Sequence, residues 1–238
     1  MDEKRLEPAL YLVPVPIGNR DDITLRALKT LQRADIIASE DTRTTGQLLA
    51  LYGITAQRLQ SYHDYNEADR ANDLIHAVQN GSVVAVVSEA GSPCISDPGY
   101  RLVQAAIAAK VTVVPLPGAT ALIPALAASG LAVHSFVFLG FPPQKKGRET
   151  FLRKALLHEE TIVMYESSHR IVALLEELQT LGAGARRVCI ARELTKMYEE
   201  FIRESLDDCL HRLAARPSQK GEFVFILEGK GEGEKMTN

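Results

Sequence analysis

The run Val83-Val84-Ala85-Val86-Val87 breaks at Ser88-Glu89-Ala90-Gly91-Ser92-Pro93 and continues as Cys94-Ile95-Ser96-Asp97-Pro98-Gly99-Tyr100. Apolar, largely β-branched residues without polar alternation read as a buried strand, and the serine, glycine and two prolines after it read as a long, tightly turned loop. The loop carries two carboxylates, Glu89 and Asp97, at the end of a strand. A loop of that kind is suited to holding a ligand.

Strand-like runs alternate with helical periods along nearly the whole chain, the pattern of an α/β protein with mixed or parallel sheets. In the first half, strands are expected over 10–15, 36–39, 58–61, 83–88 and 111–114, with helices over 24–33, 44–51, 68–79 and 100–109 between them. The second half repeats the alternation, with helices over 119–129, 147–158, 171–181 and 205–215 and strands over 135–140, 161–165, 187–192, 199–203 and 222–228. Leu25, Leu28 and Leu31 give the first helix an apolar face, and Asp22 and Thr24 stand where N-caps belong. Two α/β lobes are expected, over 8–117 and 118–229. The charged, glycine-rich tail 230–238 has a composition that favours disorder.

The 238 residues, 46% of them hydrophobic, can bury a sizeable core. With 27 basic and 30 acidic residues and a formal charge of −3, the chain is no polycation, so any contact with RNA must be a local patch. Cys94, Cys189 and Cys209 lack disulfide or metal spacing, and the start Met1-Asp2-Glu3-Lys4-Arg5 is unlike a signal peptide, which together suggest a reducing cytoplasm. Residues 111–144 contain no Asp, Glu, Lys or Arg. Their prolines and glycines divide the stretch into short elements, so it reads as a deeply buried passage between two halves of the molecule and not as a membrane span.

No Gly-x-Gly-x-x-Gly follows the first strand and no Gly-x-x-x-x-Gly-Lys-Ser/Thr occurs, which argues against a dinucleotide dehydrogenase and a P-loop NTPase. In place of the former stands Val13-Pro14-Val15-Pro16-Ile17-Gly18-Asn19, a proline-stiffened turn. Ser39-Glu40-Asp41-Thr42-Arg43 puts two carboxylates and a guanidinium at the carboxyl edge of a sheet, where α/β proteins bind ligands. Asp41 serves there either function or helix capping, whereas the fork of Arg43 matches phosphate or carboxylate. His63-Asp64-Tyr65-Asn66-Glu67 offers polar and aromatic groups for stacking or capping, and without a second histidine nearby it makes no convincing metal site. Tyr165-Glu166-Ser167-Ser168-His169-Arg170 delivers charge to a strand end, either as a site or as a Ser167 cap with an Arg170–Glu166 pair. Pro142-Pro143-Gln144-Lys145-Lys146-Gly147-Arg148, with Arg153 and Lys154, is a basic cluster fit for RNA phosphate or a solvated face.

Taken in order with Asp22-Ile23-Thr24-Leu25-Arg26-Ala27-Leu28, Asp97-Pro98-Gly99-Tyr100-Arg101-Leu102-Val103 and Ala191-Arg192-Glu193-Leu194-Thr195-Lys196, these segments resemble the tetrapyrrole methylase superfamily, and within it the branch acting on small-subunit ribosomal RNA. The resemblance implies a two-lobed α/β fold, each lobe a mixed sheet flanked by helices, with the active-site cleft between lobes. It further implies S-adenosylmethionine as cofactor, a homodimer, and methyl transfer to the ribose 2′-oxygen of a cytidine in small-subunit (16S) ribosomal RNA. Cofactor contacts would fall on Pro16, Gly18, Ser88, Ala90, Gly91, Ser92, Pro93, Pro117, Gly118, Met164 and Tyr165. Asp97 and then Glu89 would be the catalytic carboxylates. Glu40, Asp41, Arg43, His63, Asn66, Lys145, Lys146 and Arg170 would hold substrate, with no metal required. Many members have aspartate at the position of Glu89 and threonine at that of Ser92, and longer members carry a further C-terminal segment. Two rival readings are a corrin or porphyrin carbon methyltransferase and a non-catalytic, cofactor-binding protein of the ribosome.

Overall fold

The computed structural model describes residues 6–62 and 67–231, the side chains of 67–69 excepted. The chain forms two compact units that meet in sequence at Thr120 and Ala121.

The first unit contains β1 (Leu10–Leu12), α1 (Leu25–Arg33), β2 (Ile36–Ser39), α2 (Thr42–Leu51), β3 (Leu59–Ser61), α3 (Glu67–Gln79), β4 (Val84–Val87), α4 (Tyr100–Ala108) and β5 (Val113–Pro115). Its strands form one sheet in the order β3-β2-β4-β1-β5, every ladder parallel. Such a sheet needs helices on both faces, which is why β4 is apolar throughout. Tyr11, Val13, Ile37, Ala85 and Val87 point to α1 and α2, packing on Ala27, Leu31 and Leu49. Leu10, Ala38, Val84 and Val86 point the other way, to Leu74 and Val78 of α3 and Leu102 and Ala106 of α4. From β1 the chain moves to β2 on one side, and from β4 to β5 on the other. With α1 and α2 on one face and α3 and α4 on the other, the segments leaving the adjacent β1 and β4 lead to opposite faces beyond their carboxyl ends, the edge at which α/β sheets bind ligands.

The second unit contains α5 (Leu122–Ala127), β6 (Phe136–Phe138), α6 (Arg148–Ala155), β7 (Thr161–Ser167), α7 (Ile171–Leu178), β8 (Arg187–Arg192), β9 (Glu200–Ser205), α8 (Leu206–Ala214) and β10 (Glu222–Leu227). Its sheet is mixed, in the order β6-β7-β10-β8-β9, with β6 and β7 parallel and the other neighbours antiparallel. One face buries Ile162, Met164, Ile190, Phe223 and Phe225 under Leu152, Leu174, Leu178, Leu206 and Leu213 of α6, α7 and α8. The short α5 packs against β10.

Three expectations are corrected. Leu25 is 76% exposed, and the buried side of α1 is Ala27, Thr30 and Leu31. At about 100° per residue Leu25 lies some 120° around the helix from Leu31, outside the apolar stripe. Ser167 does not cap α7: it is paired with Glu222 as the last residue of β7, and the N-cap is Arg170 without a side-chain cap bond. The uncharged stretch 111–144 is not a deeply buried passage, since Ile123 and Phe141 are each 51% exposed. Its strands, β5 and β6, are the edge strands of their sheets, so each is covered on one side only. Among the described residues no helix is long and apolar enough to cross a membrane.

Candidate active site

At the carboxyl edge of the first sheet the backbone is knotted by a few short bonds. Beyond β4, the Ser88 hydroxyl donates to the Gly91 carbonyl at 3.1 Å and closes a tight turn. Gly91 then pairs with Val15 beyond β1, each amide donating to the other's carbonyl at 2.9 Å. Gly91 has φ +80°, and a Cβ there would stand 3.3 Å from Ile17 Cγ2. The Ser92 hydroxyl donates to the Ala119 carbonyl at 3.0 Å, tying in the turn after β5. At Gly118 a Cβ would come within 2.6 Å of Pro14 Cβ, so only glycine admits this approach. These ties draw together the three short segments that carry Pro16, Gly18, Ser88, Ala90, Gly91, Ser92, Pro93, Pro117 and Gly118. Gly18 and Ala90 are exposed, while Ser88, Gly91 and Pro93 are buried.

The loop then coils through Cys94 and Ser96, both left-handed at φ 70° and 63°. Each such residue carries a strain of about 1–2 kcal/mol, held in place by its surroundings and found most often where a ligand or reacting group is positioned. The coil half-buries Asp97. Burial, followed by the negative charges of Glu40 and Glu89, pushes its carboxyl up to about 7. The pairing of Ser39 with Val87 sets Glu40 beside Ser88 at the sheet edge. Glu40 and Glu89, from two strand ends, thus add their charge to the burial of Asp97 in the loop, an arrangement that holds one acid ready to exchange a proton near neutrality.

Asp41 caps α2, its Oδ1 accepting from the Arg43 amide at 2.7 Å. The same carboxylate holds the Arg43 guanidinium, with Nη2 to Oδ2 at 3.1 Å. The pair lowers the pKa of Asp41 and raises that of Arg43, whose side chain stays 87% exposed. His63 and Asn66 lie outside the described residues.

The remaining candidates belong to the second unit. Met164 is fully buried in the helix-covered core, so its side chain is committed to packing and only backbone could face a ligand. Tyr165 meets Phe138 and Phe141 edge-on, with ring centroids 5.0 and 5.5 Å apart. Lys145 and Lys146 are exposed on the loop before α6. Arg148, read from sequence as part of the same basic cluster, is instead buried: its Nε donates to Glu177 at 2.7 Å and its Nη1 to the Pro143 carbonyl at 3.1 Å. Its Nη1 also lies 3.4 Å from Glu166, whose other oxygen accepts from Arg170 Nε at 2.9 Å. Arg153 pairs with Glu149 on the helix surface. Sequence reasoning saw the Arg170–Glu166 pair but missed Arg148 and Glu177, because their partners are 18 and 29 residues away.

Three comparisons bear on this geometry. The ribosomal RNA small subunit methyltransferase I of Halalkalibacterium halodurans is 48% identical over 224 residues, covering 94% of this chain and 76% of that protein. The protein of the same name from Synechocystis sp. is 47% identical over 221 residues, covering 92% and 78%. Among solved structures, uroporphyrin-III C-methyltransferase from Thermus thermophilus, complexed with S-adenyl homocysteine, shares the fold with a TM-score of 0.61 at 21% identity, covering 96% of this chain and 99% of that one. Residues 9–209 match the family model for tetrapyrrole (corrin/porphyrin) methylases, a span that takes in the carboxylate-bearing edge of the first sheet and most of the second sheet. On that match, and on relatives nearly half identical to it, this chain belongs to the tetrapyrrole (corrin/porphyrin) methylase family.

Proposed function

We propose that the protein transfers a methyl group from S-adenosylmethionine to the ribose 2′-oxygen of a cytidine in small-subunit ribosomal RNA. The observation that carries the reading is Asp97, a half-buried carboxyl with a pKa of about 7, set among Glu40 and Glu89 at the carboxyl edge of the parallel sheet. A ribose hydroxyl is a poor nucleophile at neutral pH, and an acceptor poised near neutrality is the group best matched to take its proton as the new bond forms. The names of the relatives, which are nearly half identical to this chain over the aligned residues, support the RNA substrate.

The cofactor carries an amino acid group, a nucleoside and a sulfonium that supplies the methyl. The residues fit it. Backbone groups around Pro16, Gly18, Ala90, Gly91, Ser92, Pro93, Pro117 and Gly118 would hold its polar parts, Ser88 would keep their turn closed, and the carboxylates suit its positive centres. Met164 would contribute backbone and Tyr165 its ring. Asp97 accepts the ribose proton, its working pKa set by burial and by the charges of Glu40 and Glu89. The knotted loops keep the reactants aligned and exclude water. Glu40, Asp41, Arg43, His63, Asn66, Lys145, Lys146 and Arg170 would bind the RNA. We place the enzyme in the cytoplasm, a compartment suited to three cysteines that form no disulfide, and as a homodimer.

The test is transfer from labelled S-adenosylmethionine to small subunits lacking the modification, followed by nucleoside mass spectrometry. Labelled 2′-O-methylcytidine is expected, and Asp97→Asn should lower turnover about a hundredfold or more while still binding cofactor. Label on a corrin or porphyrin, or cofactor binding with no product, would overturn the reading.

A further inference from the structure

Two loops leave the second sheet at the same edge, because β6 and β7 run parallel. The first, before α6, exposes Lys145 and Lys146, and the turn after β7 carries the partly exposed Arg170. Between them lies Glu166, whose side chain is completely buried. One of its oxygens accepts from Arg170 Nε at 2.9 Å and from the Ser167 amide at 2.7 Å. The other faces Arg148 Nη1 at 3.4 Å.

Arg148 in turn folds the first loop onto itself. Its Nη1 donates to the Pro143 carbonyl at 3.1 Å and its backbone amide to the Lys145 carbonyl at 3.2 Å, so the loop is gripped on both sides of Gln144. One half of the grip is made by the Arg148 side chain, itself held by Glu166 and Glu177, and the other by its backbone.

As a device for stability this is poor. Buried ion pairs gain little over apolar packing of the same volume, and Arg148 Nη2 is buried with no partner among the described residues. What the pair achieves is spacing, since a single buried carboxylate fixes how far the Lys145–Lys146 loop stands from Arg170.

We propose that Glu166 is a positioning residue for the RNA substrate: through Arg148 and Arg170 it ties two neighbouring loops together, so that Lys145, Lys146 and Arg170 act on one run of phosphates. The proposal rests on the RNA reading above and deepens it. Three cations preset on a single strand contribute a salt slope of about −2, roughly 0.7 per phosphate. Released from each other, they meet the phosphates one at a time and contribute less.

The experiment is binding of a small-subunit RNA fragment at several salt concentrations, with thermal melting to check folding. Glu166→Gln should weaken binding about tenfold and make the salt slope shallower by about 1. In a background carrying Lys145→Gln, Lys146→Gln and Arg170→Gln, the same change should have no further effect, because the groups it positions are gone. Glu166→Asp keeps the buried charge and should fold, with RNA affinity between those of Glu166→Gln and the unsubstituted protein. If Glu166→Gln does not fold, the aspartate variant carries the test, and unchanged RNA binding by it overturns the proposal. An equal loss with and without the three cations would make Glu166 merely structural. Failure of the unsubstituted protein to bind the RNA at all would overturn the substrate reading and this proposal together.

Discussion

Asp97 owes its behaviour to where its loop leaves it. An exposed aspartate ionises near 3.9, but this one is half-buried and faces Glu40 and Glu89, so its folded-state pKa is about 7. Between those two values the folded state holds a proton that the unfolded chain releases, and stability falls as pH rises through that window. Asp97→Asn should therefore melt higher than the unsubstituted protein at pH 8, with the advantage gone near pH 4; a constant difference would remove the buried acid as its cause. Activity should run the other way, rising as Asp97 ionises through about pH 7. Glu40→Gln and Glu89→Gln each remove a neighbouring negative charge and should move that limb of the pH–rate profile to lower pH, with Glu40 giving the larger shift. Both carboxylates of the catalytic loop were legible in the sequence as charges after a buried strand. The pKa was not, because it depends first on burial in the folded loop and then on Glu40, which is 57 positions away and reaches the site through the pairing of β2 with β4.

Among the elements, the loops beyond β1, β4 and β5 act as one piece. Their coupling runs through Val15–Gly91, Ser92–Ala119 and the contact of Pro14 with Gly118. Gly118→Ala would press a methyl group against a rigid proline ring with nowhere to turn. A loss of about 1–3 kcal/mol in denaturant unfolding is expected, together with weaker cofactor binding. A variant as stable as the parent would mean that the turn after β5 can move independently. The helices and strands were nearly all legible from periodicity, and β2 and β8 fall on their expected bounds. The second helix starts earlier than periodicity suggested, because Asp41 caps it at Thr42. The helix expected over 119–129 shortens to α5, because Ala119 is drawn into the loop knot through Ser92. The Asp41 cap is local and was among the readings the sequence offered, whereas the loop knot is made by a tertiary partner, which a local pattern does not contain.

At the scale of the whole molecule, the uncharged stretch 111–144 is the largest departure from expectation. It leaves Ile123, Val133, Phe136 and Phe141 exposed on the chain, apolar surface that association would remove from water. The homodimer proposed above should appear as a doubled mass in sedimentation equilibrium, and Ile123→Glu should shift it toward monomer; a parent protein that is monomeric at micromolar concentration would end that reading. The sequence by itself determined the alternation of strand and helix, the two α/β units, the loops that carry charge at strand ends and the family, because each of these is written in residues close together along the chain or in an ordered set of motifs. Only the tertiary structure decided which carboxylate is poised near neutrality, that Arg148 turns inward, and that Glu166 joins two loops. Those properties arise from burial and from charges brought together across tens of residues, and no local stretch of sequence encodes the distance between them.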